Sequence, residues 1–278
     1  MKPTIGIVTD STGDIPVEEA ARLGIHVVPA IVTIEGETFV DGQGLSRQEF
    51  YRRLPEMHEP PTTAAPSPQR FAEAYESLLS AGFGRILSIH VSSKLSAMLG
   101  IAAQAAAAFG DRVHVFDSAQ VSMGLGFQAM EAATLATAGA SFEAVLDAAQ
   151  RARERVWTVA MIDTLEYLRR SGRVSWLRAG LGEFLRVKLL VQIGDGVVQR
   201  IGEVRTRHKA VDQLLSLVES RAPLERLAVL HSGIAAEAAA LAERLRPLAR
   251  QAALVVDVTT VIGTHVGPGS IGASGLSA

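Results

Sequence analysis

The sequence predicts an α/β protein of two lobes with mostly parallel sheets, the second lobe mixed. Short β-branched runs alternate with alanine-rich amphipathic segments, which is the pattern of strand–helix–strand units. An Asp-Gly hairpin signal interrupts that alternation late in the chain, and 278 residues exceed what one ordinary core holds.

The strand-like runs, in order, are Ile5 to Thr9, Val27 to Thr33, Ile86 to Val91, Val113 to Phe116, Val156 to Ile162, Leu227 to Leu230 and Leu254 to Thr260. Ser46 with Glu49 has the form of a capping box, and Asp163 with Glu166 is a weaker version, so each opens a short helix. Ser67 stands as an N-cap with Pro68 at the first helical position. Phe71, Tyr75, Leu78 and Leu79 then share one face, and Gly82 falls just past the end. Lys188 to Ile193, Asp195-Gly196 and Val197 to Ile201 read as a hairpin, because Asp-Gly supplies the positive φ angles of a type I′ turn. The charged run Arg151 to Arg155 follows a helix capped by Ser141 and precedes a strand. The boundary is placed there, giving α/β domains over residues 1–154 and 155–278.

Composition removes several functions. With 27 basic against 29 acidic residues there is no electrostatic footprint for nucleic acid or an anionic membrane. The absence of cysteine excludes disulfides, thiolate metal ligands and cysteine nucleophiles, and nothing calls for an oxidising compartment, so a cytoplasmic location is expected. The apolar run before Asp10 is too short for an export signal, and no uninterrupted apolar stretch approaches a membrane span. The histidines show no metal-ligand spacing; His90 and His231 read as strand residues with satisfied nitrogens. No GxxxxGK[ST] loop is present, so no ATP site is visible. Gly124, Gly126 and Ala129 spell GxGxxA but read as close helix packing. Gly267, Gly269 and Gly272 spell GxGxxG too near Ala278 to open a helix.

Six polar segments are left as candidates. Asp10, Ser11, Thr12 and Asp14 follow the first strand, where open α/β sheets bind ligands; the same residue types also cap helices and fill turns. Pro60 to Pro68 holds Thr62 and Thr63 in a loop stiffened by prolines, or is a plain connector. Ser92-Ser93-Lys94-Leu95-Ser96 lies between strand and helix, where hydroxyls and free N–H groups suit an anion and one serine suits a cap. Arg169, Arg170 and Arg173 form one cationic turn, and Arg205, Arg207, His208 and Lys209 another; both fit an acyl phosphate, an acidic partner or simple solvation. His265 stands in a glycine-rich turn that lets a ligand approach the backbone.

The ordered set VTDSTGDIP, PTTAAPSP, SSKLSA, DSAQVSMGLG, LEYLRRSGRV, EVRTRHKA and GTHVGPGSIG resembles the DegV family, the fatty-acid-binding subunits of bacterial fatty acid kinase. The resemblance covers nearly the whole chain. It implies a long-chain fatty acid held between two α/β lobes, with residues 1–154 carrying the carboxylate-binding loops and 155–278 covering the acyl chain. It also implies a separate kinase subunit that phosphorylates the carboxylate with ATP, so the chain alone is not an enzyme and takes no cofactor or metal. By position, Thr63, Ser92 or Ser93, and His265 would hold the carboxylate, with His265 and Arg205 supporting phosphotransfer and Arg170 and Arg173 facing the partner. The sequence departs from the family pattern at Ala64-Ala65 (commonly Ser-Gln) and at Ala97-Met98-Leu99 (commonly Gly-Thr-Tyr), which bears on acyl preference and kinase coupling. Two other readings stand beside this one. One is a serine-dependent acyl hydrolase or transferase using Ser92 or Ser93, His265, and Asp10 or Asp117, although no GxSxG elbow is present. The other is a lipid-binding sensor without a kinase.

Overall fold

The computed structural model describes residues 4–174 and 187–278. Its first sheet is parallel throughout, in the order β2 (Ile25–Val28), β1 (Ile5–Asp10), β6 (Arg85–His90), β7 (Val113–Asp117). All six residues of β1 are buried, as a strand covered on both faces requires. The chain leaves β1 for β2 on one side and later returns to β6 on the other. The carboxyl ends of β1 and β6 therefore mark a topological switch point.

The run Val27 to Thr33 is two strands rather than one. Pro29 cannot donate to a ladder, so β2 stops at Val28. The chain then turns into β3 (Ile31–Ile34), the centre of a small antiparallel sheet with β4 (Glu37–Val40) and β5 (Thr62–Ala64). That sheet was not foreseen, and it matters because β5 carries Thr63.

The second sheet is mixed, in the order β10 (Val197–Val204), β9 (Lys188–Gly194), β8 (Val156–Ile162), β13 (Ile271–Ser277), β11 (Leu224–His231), β12 (Leu254–Asp257). Among these, β11 and β12 run parallel and the other neighbours antiparallel. The β9–β10 turn has Asp195 at φ 51° and Gly196 at φ 77°, the two positive angles expected of Asp-Gly.

Two readings of this half are corrected, and one strand, β13, is added. Leu254 to Thr260 is not one strand: β12 ends at Asp257 and Thr259 caps α10 (Thr260–Val266), since threonine serves a strand and an N-cap equally. The glycine-rich GPGSIG leads into β13, inside the sheet, where its small residues are a requirement. A Cβ on Gly275 would lie 2.2 Å from the Trp157 ring, and one on Gly272 2.6 Å from the Val159 carbonyl. Finally, Thr164 rather than Asp163 caps α7 (Leu165–Ser171), accepting from the Glu166 N–H at 3.4 Å. Asp163 instead pairs with Arg207 at 2.6 Å and Lys188 at 2.8 Å.

Of the remaining capping signals, Ser46 and Ser141 make their side-chain bonds, while Ser67 stands at the N-cap of the helix Pro68–Ser80 without one. Ser46 accepts from the Glu49 N–H at 3.1 Å to start α2 (Arg47–Arg53), and Ser141 caps α6 (Phe142–Arg155). Between the two large sheets lies α5 (Met123–Thr137), packed against β1 on one side and β8 and β13 on the other. Eleven of its fifteen residues are buried, as befits a helix that is apolar all round. Gly124 and Gly126 make this possible: a Cβ would meet Thr158 Oγ1 at 2.5 Å and the Gly13 carbonyl at 2.6 Å. They serve close packing, as read from the sequence. One core cluster consequently joins Ile7 and Ile89 of the first sheet to Leu230 and Val261 of the second half. Among the described residues no helix is long and apolar enough to cross a membrane, and no acidic–histidine cluster suits a metal ion.

Candidate functional site

A cavity of about 400 Å³ lies between the carboxyl ends of the first sheet and one face of the second. Val91, Leu95, Met98 and Val121 line it from the first half, and Ala160, Ile162, Val191 and Ile193 from the second sheet. Val258, Val261, Ile262, His265 and Val266 complete it, a stripe at helical spacing along and just before α10. The lining is overwhelmingly apolar and is large enough for a small hydrophobic molecule.

Two sequence-predicted residues meet at its wall. Thr63 Oγ1 lies 3.0 Å from His265 Nε2, across 202 residues of chain. Register aims the threonine: Thr63 pairs with buried Val32 and so points inward, whereas its neighbour Thr62 pairs with Thr33 and points out. His265 is on the last turn of α10, not in a glycine turn as the sequence reading had it. The helix is seated by Tyr51, whose hydroxyl donates to the Val258 carbonyl at 2.8 Å while its ring fills the space that a side chain at Gly263 would need. Burial, and next the positive charge of Arg173, hold the His265 imidazole down at about 4. It is therefore neutral near pH 7. Among the described residues its Nδ1 is buried with no hydrogen-bond partner.

The serine loop divides differently from expectation. Ser92 Oγ donates to the Gly196 carbonyl at 2.7 Å and Ser93 Oγ to Asp117 Oδ2 at 2.6 Å; neither lines the cavity. Ser96 does, together with Ala97 and Met98. Ala64 and Ala65 also line it, so both places where the sequence departs from the family pattern face the same cavity. Arg173 is exposed and also lines the cavity. Arg170 is exposed and paired with Glu166, and Arg205 is exposed before α8 (Arg207–Glu219). The organised cation there is Arg207, which binds Asp163, the Gly269 carbonyl and Glu237.

Asp10 fills the switch point. Its carboxylate accepts from Thr12, from the Val91 N–H at 3.1 Å and from His90 Nδ1 at 3.0 Å, while His90 Nε2 meets Ser88 Oγ at 2.7 Å. His90 is satisfied as expected. His231 is not: its Nδ1 stands 3.2 Å from Asp257 Oδ1 without hydrogen-bond alignment. Nor do the parts of a serine hydrolase meet. The hydroxyl beside His265 belongs to Thr63, Asp10 is spent on His90, and Asp117 holds Ser93 away from the cavity.

Asp14, a candidate from its place after the first strand, forms a buried clamp whose partners the sequence did not reveal. Asp14 accepts from Ser122 Oγ at 2.5 Å and from the Thr259 N–H at 2.8 Å, tying the first loop to α5 and to the start of α10. Burial is the main cause raising its carboxyl to about 6, against the opposing pull of Arg47 and these hydrogen bonds. Ser122 sits at φ 55°, ψ −147°, a strained conformation for a side chain, and lines the cavity. A serine at a glycine-like angle leaves no trace in composition.

The family model described as "Uncharacterised protein, DegV family" matches residues 4–277. The chain belongs to the DegV family. DegV-family relatives include the DegV domain-containing protein SCO2569 of Streptomyces coelicolor, 35% identical over 277 residues and 98% of each chain. A solved DegV-family protein from Thermus thermophilus, described for its fatty acid binding, superposes with a TM-score of 0.91 at 34% identity, covering 99% of this chain and 100% of that one. DegV of Bacillus subtilis, described as a fatty acid binding protein, gives a TM-score of 0.88 at 31% identity over 100% of both chains.

Proposed function

We propose that this DegV-family protein binds one long-chain fatty acid in the cavity and presents its carboxylate to a separate ATP-dependent kinase for acyl-phosphate formation. The observation that carries the reading is the unpartnered imidazole of His265, held against Thr63 at the wall of an otherwise apolar cavity. Each methylene removed from water contributes about 0.8 kcal/mol, so a long tail outweighs the cost of association. A carboxylate needs donors on entering such a site. Thr63, His265 and Ser96 offer them, and Arg173 supplies positive charge. In this reading Ser96 replaces Ser92 and Ser93, which brace the loop.

The head-group pair joins Thr63 of residues 1–154 to His265 of residues 155–278, which supports a ligand held between the two halves. The exposed Arg170 and Arg205 are the surface assigned to the kinase, in a cytoplasmic setting where ATP is at hand. The test is to denature the purified protein, extract it with solvent and identify released lipid by mass spectrometry beside a delipidated control. A stoichiometric free fatty acid is expected. No lipid, together with no binding of added fatty acids, overturns the carrier reading. For coupling, acyl phosphate should form from the loaded protein and ATP only when a kinase subunit is added; formation without one would make the chain an enzyme in its own right.

A further inference from the structure

Thr63 and His265 account for one polar point of the cavity, and most other polar side chains in its wall are committed to the protein. Ser122 Oγ donates to Asp14, Thr158 Oγ1 meets Ser274 Oγ at 2.8 Å, and Gln192 bonds Gln199 at 3.0 Å. His231 is different. It ends β11, is 5% exposed and lines the cavity. Its Nδ1 faces the Asp257 carboxylate at 3.2 Å out of alignment, and Asp257 is already bonded to the Gly233 N–H at 3.1 Å. Its Nε2 makes no hydrogen bond to any described residue, and the residue lines the cavity.

The position is informative. The His231 carbonyl accepts from the Val258 N–H at 2.8 Å, which sets His231 beside the start of α10, whereas His265 occupies the last turn. A seven-residue helix rises about 10 Å, so the two imidazoles mark opposite ends of the apolar stripe along α10. A plain alkyl chain laid on that stripe would cover His231 and leave its nitrogen unpaired. Such a group loses its hydration without compensation. A hydroxyl, which both donates and accepts, would pair with the imidazole in either tautomer and have its own burial cost removed.

We propose that the cavity is selective for an acyl chain carrying a mid-chain hydroxyl, with His231 as the residue that binds it. The proposal rests on the fatty-acid reading and narrows its substrate class. Sites built to hydrogen-bond a substrate hydroxyl discriminate against analogues that lack it, because the analogue strands a buried polar group.

The experiment measures affinities of the delipidated protein, by calorimetry, for octadecanoic acid, a mid-chain hydroxyoctadecanoic acid and the isomer hydroxylated near the methyl end. The mid-chain isomer is expected to bind about tenfold tighter than the other two, one good hydrogen bond's worth. In His231→Leu that ratio should fall to about one, and His231→Gln, which keeps a polar group, should retain part of it. Equal wild-type affinities for the plain and mid-chain hydroxy acids overturn the proposal whether or not the variants fold. So does a preference that persists in His231→Leu. If octadecanoic acid and both isomers all fail to bind, it is the fatty-acid reading that has failed.

Discussion

Two histidine sites in this molecule share an arrangement and differ in access. In the first sheet Ser88, His90 and Asp10 form a serine–histidine–aspartate chain at 2.7 and 3.0 Å, extended to the Tyr75 hydroxyl at 2.9 Å, yet Ser88 and His90 are 0% exposed. At the α10–β5 seam a threonine and a histidine lie 3.0 Å apart with one ring nitrogen unclaimed and a cavity alongside. The first has the arrangement of a catalytic chain, but its groups are bonded to one another inside the core. The second is sparse and unsatisfied. What separates a structural polar cluster from a binding site is the valence left over and a route to it.

That comparison can be broken most severely at Asp10. Asp10→Ala strands the donors of Thr12, Val91 and His90 inside the core and is expected to cost about 3–5 kcal/mol in urea denaturation. A loss below about 1 kcal/mol would mean the sealed chain is not what holds the switch point together.

The next effect is pH-dependent and tests the clamp at Asp14. Its carboxyl titrates near 6 in the fold and near 3.8 when unfolded, so the native state binds the proton more tightly. The stability from that proton is complete below about pH 4 and lost as pH rises through about 6, a difference of roughly 3 kcal/mol. Asp14→Asn should lift this fall from the stability–pH curve; an unchanged curve would remove Asp14 as its source. His265 has the opposite sign, because its folded value lies below the ordinary 6.5. Its contribution is present above 6.5 and lost as pH falls toward about 4.

At the open site, His265→Ala should weaken fatty acid binding by about ten- to a hundredfold, the range for one hydrogen bond to a charged group, while shifting the urea midpoint little. Equal affinity in variant and wild type would dismiss His265 as a carboxylate ligand. The smallest effect separates the serines. Ser93→Ala, on an exposed side chain turned to Asp117, should change stability by less than about 0.5 kcal/mol and leave affinity alone, whereas Ser96→Ala lowers affinity severalfold. The reverse result would restore Ser93 to the head group.

The sequence made much of this legible. Periodicity located most strands, capping chemistry located α2, α3 (Pro68–Ser80) and α6, and Asp-Gly located the β9–β10 turn, because each rests on local backbone preference. Thr63 and His265 were legible by resemblance, and their meeting was not, since it depends on β3–β5 register and on the seating of α10 by Tyr51. β13 hid because its glycines answer to Trp157 and Val159, neighbours distant in sequence. His231 hid for the same reason: nothing in a strand sequence says that one nitrogen will lack a partner.

The seating of α5 has a consequence for how cargo is exchanged. A helix buried along most of its length, with Thr134 and Thr137 exposed in its last turns, is a party wall shared by both sheets, so the halves cannot swing apart like jaws without wetting Phe127 and Met130. A ligand of the kind proposed would then enter and leave through small displacements at the cavity rim, with the body of the protein intact. On the proposed fatty-acid reading, such a protein would hold its ligand through dilution and purification and yield it by threading the tail out, methylene by methylene.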